Sequence, residues 1–153
     1  MSNVDHPSHY NQYPVEVIEI ARHFNFAAGN CIKYIARAPF KGNLEEDLEK
    51  ALWYAHYYYD HRKKTHVKVL SNKKFYSRKR EVQSFVDAVC AAGQYPLCPV
   101  YAELIEHLFW DSFTCSEMLA ELTWKYYKKG HFKSWLDSLE KAKANIPNGE
   151  SEA

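Results

Sequence analysis

Apolar residues recur every three to four positions along most of the chain, which is the period of an amphipathic α-helix. This period predicts helices over residues 14–24, 26–38, 44–62, 77–92, 100–113, 114–129 and 132–146. Pro39 and Gly42 mark the turn between the second and third helices, which form a helical hairpin. Residues 66–70 fit either a short strand or an extended link, and Asn72 is expected in a turn. The pattern therefore predicts an all-α fold.

A change of composition divides the predicted helices into two groups. Residues 62–80 hold nine Lys and Arg residues and no acidic residue. We therefore predict an N-terminal three-helix unit at 1–62 and a basic linker at 63–80. A four-helix C-terminal extension is expected at 81–146, and a disordered tail at 147–153.

Composition and charge limit the classes of protein to which this sequence can belong. The 153 residues are 46% hydrophobic and 25% charged, which is typical of a soluble globular protein. The net charge of +1 excludes binding of nucleic acid through the overall charge of the chain. No apolar run approaches the roughly 20 residues that a membrane span needs, so no membrane partner is expected.

Cysteines and aromatic residues add two expectations. The four cysteines form no CxxC pair, and the polar first residues do not resemble a signal peptide. We expect free, mostly buried thiols and a cytoplasmic protein, in the host cytoplasm if it is phage-encoded. Twelve tyrosines and an aromatic content of 16% favour a homo-oligomer, with the C-terminal helices as its interface.

The sequence lacks the glycine-rich loops that bind phosphate groups through backbone amides. Neither GxxxxGK[ST] nor GxGxxG occurs, and no HExxH or paired CxxC motif indicates a metal site. A phosphate ligand would therefore have to be bound mainly by cationic side chains.

Polar side chains form one narrow row on each helix of the hairpin. The rows share the spacing i, i+3, i+7 and consist of Asn30, Lys33 and Arg37, and of Asp47, Lys50 and Tyr54. Each row covers about 60° of arc, so both can flank a shared cleft when the apolar sides of the helices pack together. Cations with an amide and a carboxylate suit a phosphate-bearing ligand. Two solvated helix faces with weak surface pairs are the alternative.

Two further segments carry candidate chemistry. The proline-fixed arm contains His6 and His9, and it can fold over the hairpin so that His9 contributes to the site. A zinc pair or a disordered start are the alternatives. The basic run 62–80, with Phe75 and Tyr76 interleaved, can follow a nucleic-acid backbone or form a solvated linker.

Three ordered blocks resemble a known family. They are HPSHY at 6–10, GN-x-IKYI-x-R at 29–37, and KG followed by EDL-x-KA-x-WY within 41–54. Together they resemble a small domain family of tailed bacteriophages, which includes a nucleotide kinase that phosphorylates deoxynucleoside monophosphates without a P-loop. The resemblance covers roughly residues 5–62.

The resemblance implies a nucleotide kinase that binds nucleotides between the second and third helices. The predicted catalytic residues are Lys33, Arg37, Asp47, Lys50 and His9. The predicted substrate-binding residues are His6, Ser8, Tyr10, Asn30, Tyr34, Lys41, Trp53 and Tyr54. In this scheme Lys33, Arg37, Lys41 and Lys50 bind phosphates and Asn30 binds a ribose or phosphate. Asp47 binds the acceptor hydroxyl or a metal. His9 and Tyr10 close the site, and Trp53 or Tyr54 stacks on a base.

Three other functions remain open. The first is a nucleotide-binding sponge or inhibitor of a host defence, without chemistry. The second is a pyrophosphohydrolase that binds Mg²⁺ through ExxE pairs, which Glu16, Glu19, Glu46 and Glu49 provide in part. The third is a nucleic-acid adaptor that uses residues 62–80. The cofactor is unknown; Mg²⁺ is compatible with the sequence but not required by it.

Overall fold

The computed structural model describes residues 13–62, 67–93, 98–115 and 131–144. Within these ranges the helices are α1 (Val17–Ala21), α2 (Phe26–Lys41), α3 (Leu44–His61), α4 (Asn72–Ala92), α5 (Cys98–Ser112) and α6 (His131–Ala144). Two short strands, β1 (Lys68–Leu70) and β2 (Phe113–Cys115), form a parallel ribbon. The predicted all-α class is confirmed.

Helices α2 and α3 form the predicted hairpin. The Asn25 side chain caps α2 by accepting a hydrogen bond from the Ala28 backbone N–H at 2.9 Å. The helix ends at Gly42, whose φ of 85° is a left-handed conformation that glycine adopts without steric penalty. The two helices pack through small and branched apolar residues that are buried in the core: Ala28, Cys31, Ile32, Ile35, Ala36, Leu48, Ala51, Leu52 and Ala55.

The prediction that α2 ends before Pro39 is wrong, because Pro39 lies inside its last turn. A proline there removes one backbone hydrogen bond and disturbs the carbonyls of the preceding turn. The buried Tyr13 hydroxyl donates to the carbonyl of Ala36 at 2.7 Å, and its ring contacts Phe40 edge-on at 5.9 Å. These contacts stabilise the turn that the proline disturbs.

Helix α1 is shorter than predicted. After Ala21 the chain turns through i, i+3 backbone bonds, from His23 N–H to the Ile20 carbonyl and from Phe24 N–H to the Ala21 carbonyl. Gly29 of α2 lies against this turn, and a Cβ atom on it would stand 3.1 Å from the Ala21 carbonyl oxygen. A glycine therefore allows the end of α1 to approach α2 closely.

The segment predicted as a basic linker contains regular structure. Residues 68–70 form β1, so the strand was the correct alternative for 66–70. Helix α4 begins at Asn72 rather than at 77, and Ser71 caps it by accepting from the Lys74 N–H at 3.3 Å. The prediction of a turn at Asn72 is therefore wrong. Phe75 is buried in the core, which fixes the first turns of α4.

The remaining helices follow the predictions more closely than the segment after Cys98–Ser112 does. Helices α5 and α6 differ from their predicted bounds by one or two residues. Thr114 was expected to begin a helix, but it lies in β2, where it pairs with Val69. Cys115 also lies in β2, while residues 116–129 of the predicted helix lie outside the described residues, as do 147–153. All four cysteines are free as expected, with Cys90 exposed and the others buried. The division into domains stays a prediction.

Candidate functional site

A bidentate ion pair between Arg37 and Asp47 joins the end of α2 to the start of α3. Arg37 Nη2 donates to Asp47 Oδ1 at 2.7 Å, and Nε donates to Oδ2 at 3.1 Å. The side chain of Asp47 is 1% exposed and that of Arg37 is 15% exposed. Parallel N–H···O bonds of this kind fix the plane of the guanidinium group. The pair therefore holds Arg37 in one orientation at the edge of the hairpin.

The ring of Tyr34 lies at the centre of a cluster of cations, the Tyr34 cluster. Lys33 Nζ and Arg37 Cζ are each 4.8 Å from the ring centroid, and Lys50 Nζ is 5.5 Å from it. On α3, the ring of Tyr54 stacks on Tyr34 with a centroid distance of 5.9 Å and an interplanar angle of 14°. The negative face of an aromatic ring attracts cations, so Tyr34 offsets part of their mutual repulsion.

The two predicted polar rows thus meet on one side of the hairpin. Lys33 and Lys50, which come from different helices, approach the same ring. Lys50 also pairs with Glu46 at 3.2 Å, and both side chains are substantially exposed. Such exposed pairs are weak and exchange readily with other partners. An anionic ligand can therefore compete with Glu46 for Lys50.

Other predicted residues have different surroundings. The Asn30 amide donates to the carbonyl of Phe26 in its own helix at 3.0 Å. The arm residues His6, Ser8, His9 and Tyr10 and the side chain of Lys41 lie outside the described part of the chain. Their roles stay predictions.

An aromatic column extends from the cation cluster along α3. Trp53 stacks on Tyr57 with a centroid distance of 5.4 Å, and Tyr57 stacks on His61 at 3.8 Å. Trp53 is 60% exposed, and Phe26, whose ring meets Tyr54 edge-on, is 80% exposed. Trp53 is among the predicted site residues, whereas Tyr57 and His61 are not. Their i, i+4, i+8 spacing was the available signal.

A second polar cluster was not predicted. The buried hydroxyl of Tyr58 donates to Asp111 Oδ2 at 2.9 Å and lies 3.1 Å from Ser112 Oγ. Arg62 Nη1 donates to the other carboxylate oxygen of Asp111. Burial and the neighbouring Asp111 raise the pKa of Tyr58. The phenol of Tyr58 therefore stays protonated. The cluster links the end of α3 to the end of α5.

The described ranges contain no group of three or more His, Cys, Asp or Glu side chains placed to hold a metal ion. Three of the glutamates considered for Mg²⁺ form ion pairs instead: Glu19 with Arg22 at 3.1 Å, Glu46 with Lys50, and Glu49 with Lys143 at 3.7 Å. None of the helices in these ranges combines the length and the apolar character needed to cross a membrane.

Comparison with known proteins identifies one similarity. Residues 4–56 match a family described as a protein of unknown function (DUF3310). The match covers about a third of the chain and includes α1, α2 and most of α3, which carry the cation cluster. No curated protein and no solved structure matches the chain. The similarity to this family agrees in extent with the resemblance drawn from the sequence blocks, while the kinase activity stays a prediction.

Proposed function

We propose that the protein is a phage-encoded nucleotide kinase that binds nucleotides at the Tyr34 cluster. The observation that carries the proposal is the convergence of Lys33, Arg37 and Lys50 on one ring across the two helices of the hairpin. Three cations within reach of one another suit the several negative charges of a nucleotide's phosphates. The exposed ring of Trp53 beside them suits a nucleobase.

The proposed reaction transfers the γ-phosphoryl group of a nucleoside triphosphate to a deoxynucleoside monophosphate. An oxygen of the acceptor phosphate forms a bond to the γ-phosphorus while the bond to the β–γ bridging oxygen breaks. That oxygen keeps the electron pair and leaves on the nucleoside diphosphate. Positioning and charge neutralisation supply most of the catalysis in such transfers, and Lys33, Arg37 and Lys50 would provide both.

This chemistry changes the role assigned to Asp47. A phosphate monoester has a second pKa of about 6, so its oxygens are already ionised at neutral pH and need no general base. Both oxygens of Asp47 accept hydrogen bonds from Arg37, and the side chain is buried. Asp47 is therefore a positioning residue for Arg37 in this proposal and does not contact the acceptor.

The ion pairs within the same cluster favour a second candidate function, a protein that binds nucleotides without transforming them. Arg37 is already neutralised by Asp47, and Lys50 is paired with Glu46. These pairs lower the net positive charge of the cluster, and retaining a ligand demands less stabilisation than a transition state does. A nucleotide sponge or an inhibitor of a host defence would need only the binding half of the site.

The deciding experiment incubates the protein with deoxynucleoside monophosphates and triphosphates, with and without Mg²⁺, and separates the products by chromatography. We expect conversion of at least one monophosphate. Substitution Lys33→Gln should lower turnover by about a hundredfold or more, with an unchanged circular dichroism spectrum. The control Lys141→Gln removes an equal charge from an exposed position on α6 and should retain turnover.

Each result has a distinct meaning. Full turnover in Lys33→Gln would contradict the site. Calorimetric binding that is lost in Lys33→Gln, without any product from the wild type, would support the binding protein instead of the kinase.

A further inference from the structure

The basic segment 68–80 forms an ordered surface that the proposed nucleotide site does not use. It carries six cations and no acidic residue: Lys68, Lys73, Lys74, Arg78, Lys79 and Arg80. This is a charge of +6 in 13 residues of a chain whose net charge is +1, so the other 140 residues carry −5. Positive charge is therefore concentrated in one place rather than spread over the molecule.

Helix α4 sets the orientation of this surface. Its core side is formed by Phe75, Val82 and Phe85, which are buried. At 100° per residue, Lys73 and Arg80 fall on the opposite side, which faces outward. Lys73, Lys74 and Arg80 are all exposed, as is Lys68 on the neighbouring strand β1.

The carboxylate of Glu81 lies near Arg78 and offsets part of the charge at one edge of this surface. None of the six forms an ion pair within the described part of the chain. Lys79 Nζ lies 4.9 Å from the ring of Trp110, and the Arg78 guanidinium lies 5.0 Å from the ring of Phe113. Aromatic faces hold these two cations in place without cancelling their charge.

The first turn of α4 adds a second argument. Lys73 and Lys74 stand at the N-terminal end of a 21-residue helix, and no acidic residue is present in that turn. The helix dipole makes this end positive, so cations here destabilise the helix. A negatively charged binding partner removes this repulsion. The fold alone does not explain why two lysines occupy the first turn.

An aromatic ring and an open groove flank the same row of charges. Tyr76 is 46% exposed, between Lys73 and Arg80 on the outer side of α4. On the other flank, a groove of about 340 Å³ lies between Pro14–Val15 and α4, lined by Ser77, Arg80, Glu81, Ser84 and Phe85. The Ser77 and Ser84 hydroxyls and the Arg80 guanidinium in this groove suit phosphate oxygens, whereas the Glu81 carboxylate repels them.

We infer that the outer face of α4, centred on Lys73, Tyr76 and Arg80, binds single-stranded nucleic acid. Exposed cations contact the phosphate backbone, and Tyr76 stacks on a base. A ring placed among cations is the arrangement of surfaces that bind single strands without sequence preference. This surface is separate from the Tyr34 cluster and goes beyond the proposed kinase activity.

The test measures fluorescence anisotropy of a labelled oligothymidylate of about 20 nucleotides, long enough for one such site, over a range of salt concentrations. With about four phosphate contacts, the slope of log K against log salt should be about −3. The triple variant Lys73→Gln, Lys74→Gln, Arg80→Gln should reduce that slope by about 2 and weaken binding at least tenfold. Tyr76→Ala should weaken binding, and Tyr76→Phe should preserve it.

A charge-matched control separates the surface from net charge. The triple variant Lys133→Gln, Lys141→Gln, Lys143→Gln changes α6 by the same three charges and should bind like the wild type. The double variant Lys33→Gln, Lys50→Gln should also bind the oligonucleotide normally, whether or not the kinase proposal holds.

Three results would overturn the inference. The first is a Lys73, Lys74, Arg80 variant that binds within twofold of the wild type. The second is an equal loss in the α6 control, which would indicate attraction by net charge alone. The third is tighter binding to a duplex of the same length, or to vesicles containing phosphatidylserine, than to the single strand.

Discussion

The guanidinium group of Arg37 contacts two neighbouring side chains. Its N–H groups donate to the carboxylate of Asp47, while its Cζ atom lies 4.8 Å from the centroid of the Tyr34 ring. A buried ion pair contributes little net stability, but the loss of one partner leaves a charge without compensation. Asp47 therefore helps to fix the position of Arg37.

This dependence predicts a strongly non-additive pair of substitutions. Asp47→Asn or Arg37→Met alone should lower the free energy of unfolding by about 3 kcal/mol, whereas Arg37→Met with Asp47→Leu should stay within about 1 kcal/mol of the wild type. Urea denaturation measures all three. The exposed pair Glu46 and Lys50 is the control, and its double substitution to Gln should change stability by less than about 0.5 kcal/mol. Additive losses at 37 and 47 would show that the two side chains act independently.

At the scale of single helices, the sequence predicted the features that depend on residues close together in the chain. The apolar period of α2 and α3 and the spacing of Lys33, Arg37 and Lys50 were sufficient to place these cations on a common side of the hairpin. Local rules failed at Pro39, because a bond from Tyr13 supports the turn that proline disturbs. They also failed at Asn72, where Ser71 supplies the cap.

The turn between α2 and α3 depends on Gly42. Its positive φ disfavours any residue with a Cβ atom, and within the described residues, apart from its chain neighbours, no atom lies within 4 Å of where that Cβ would be. Substitution Gly42→Ala should therefore lower the free energy of unfolding by about 1 kcal/mol through backbone strain alone. Gly42→Asn should cost less, because asparagine tolerates this conformation. Equal stability of both variants in urea denaturation would argue against a left-handed residue at this turn.

For the whole molecule, the decisive contacts join residues far apart in the chain. Tyr58 meets Asp111 and Ser112, and Phe24 of the N-terminal part contacts Phe113 at 5.3 Å. No spacing rule relates such positions, so neither the buried cluster nor the parallel ribbon could be predicted. The sequence showed an amphipathic helix at 100–113 but could not show which residues Asp111 would bind.

Tyr58 tests whether this long-range cluster stabilises the whole molecule. Removal of its hydroxyl by Tyr58→Phe takes a donor from Asp111 Oδ2 and an acceptor from the Ser112 hydroxyl, and it should cost about 1 to 3 kcal/mol. The matched control is Tyr57→Phe on the exposed side of the same helix, which should change stability by less than about 0.5 kcal/mol. Urea denaturation of both variants makes the comparison. Equal stability would mean that the cluster does not contribute to the fold.

The parallel ribbon has a consequence for the order in which the chain folds. Each residue of β1 pairs with a residue 45 positions further along the chain. Closing such a long loop costs conformational entropy that three residue pairs can hardly repay. The strands can therefore meet only after α4 and α5, which lie between them, have packed together. We expect the ribbon to form late in folding, after the two helices between its strands have packed together.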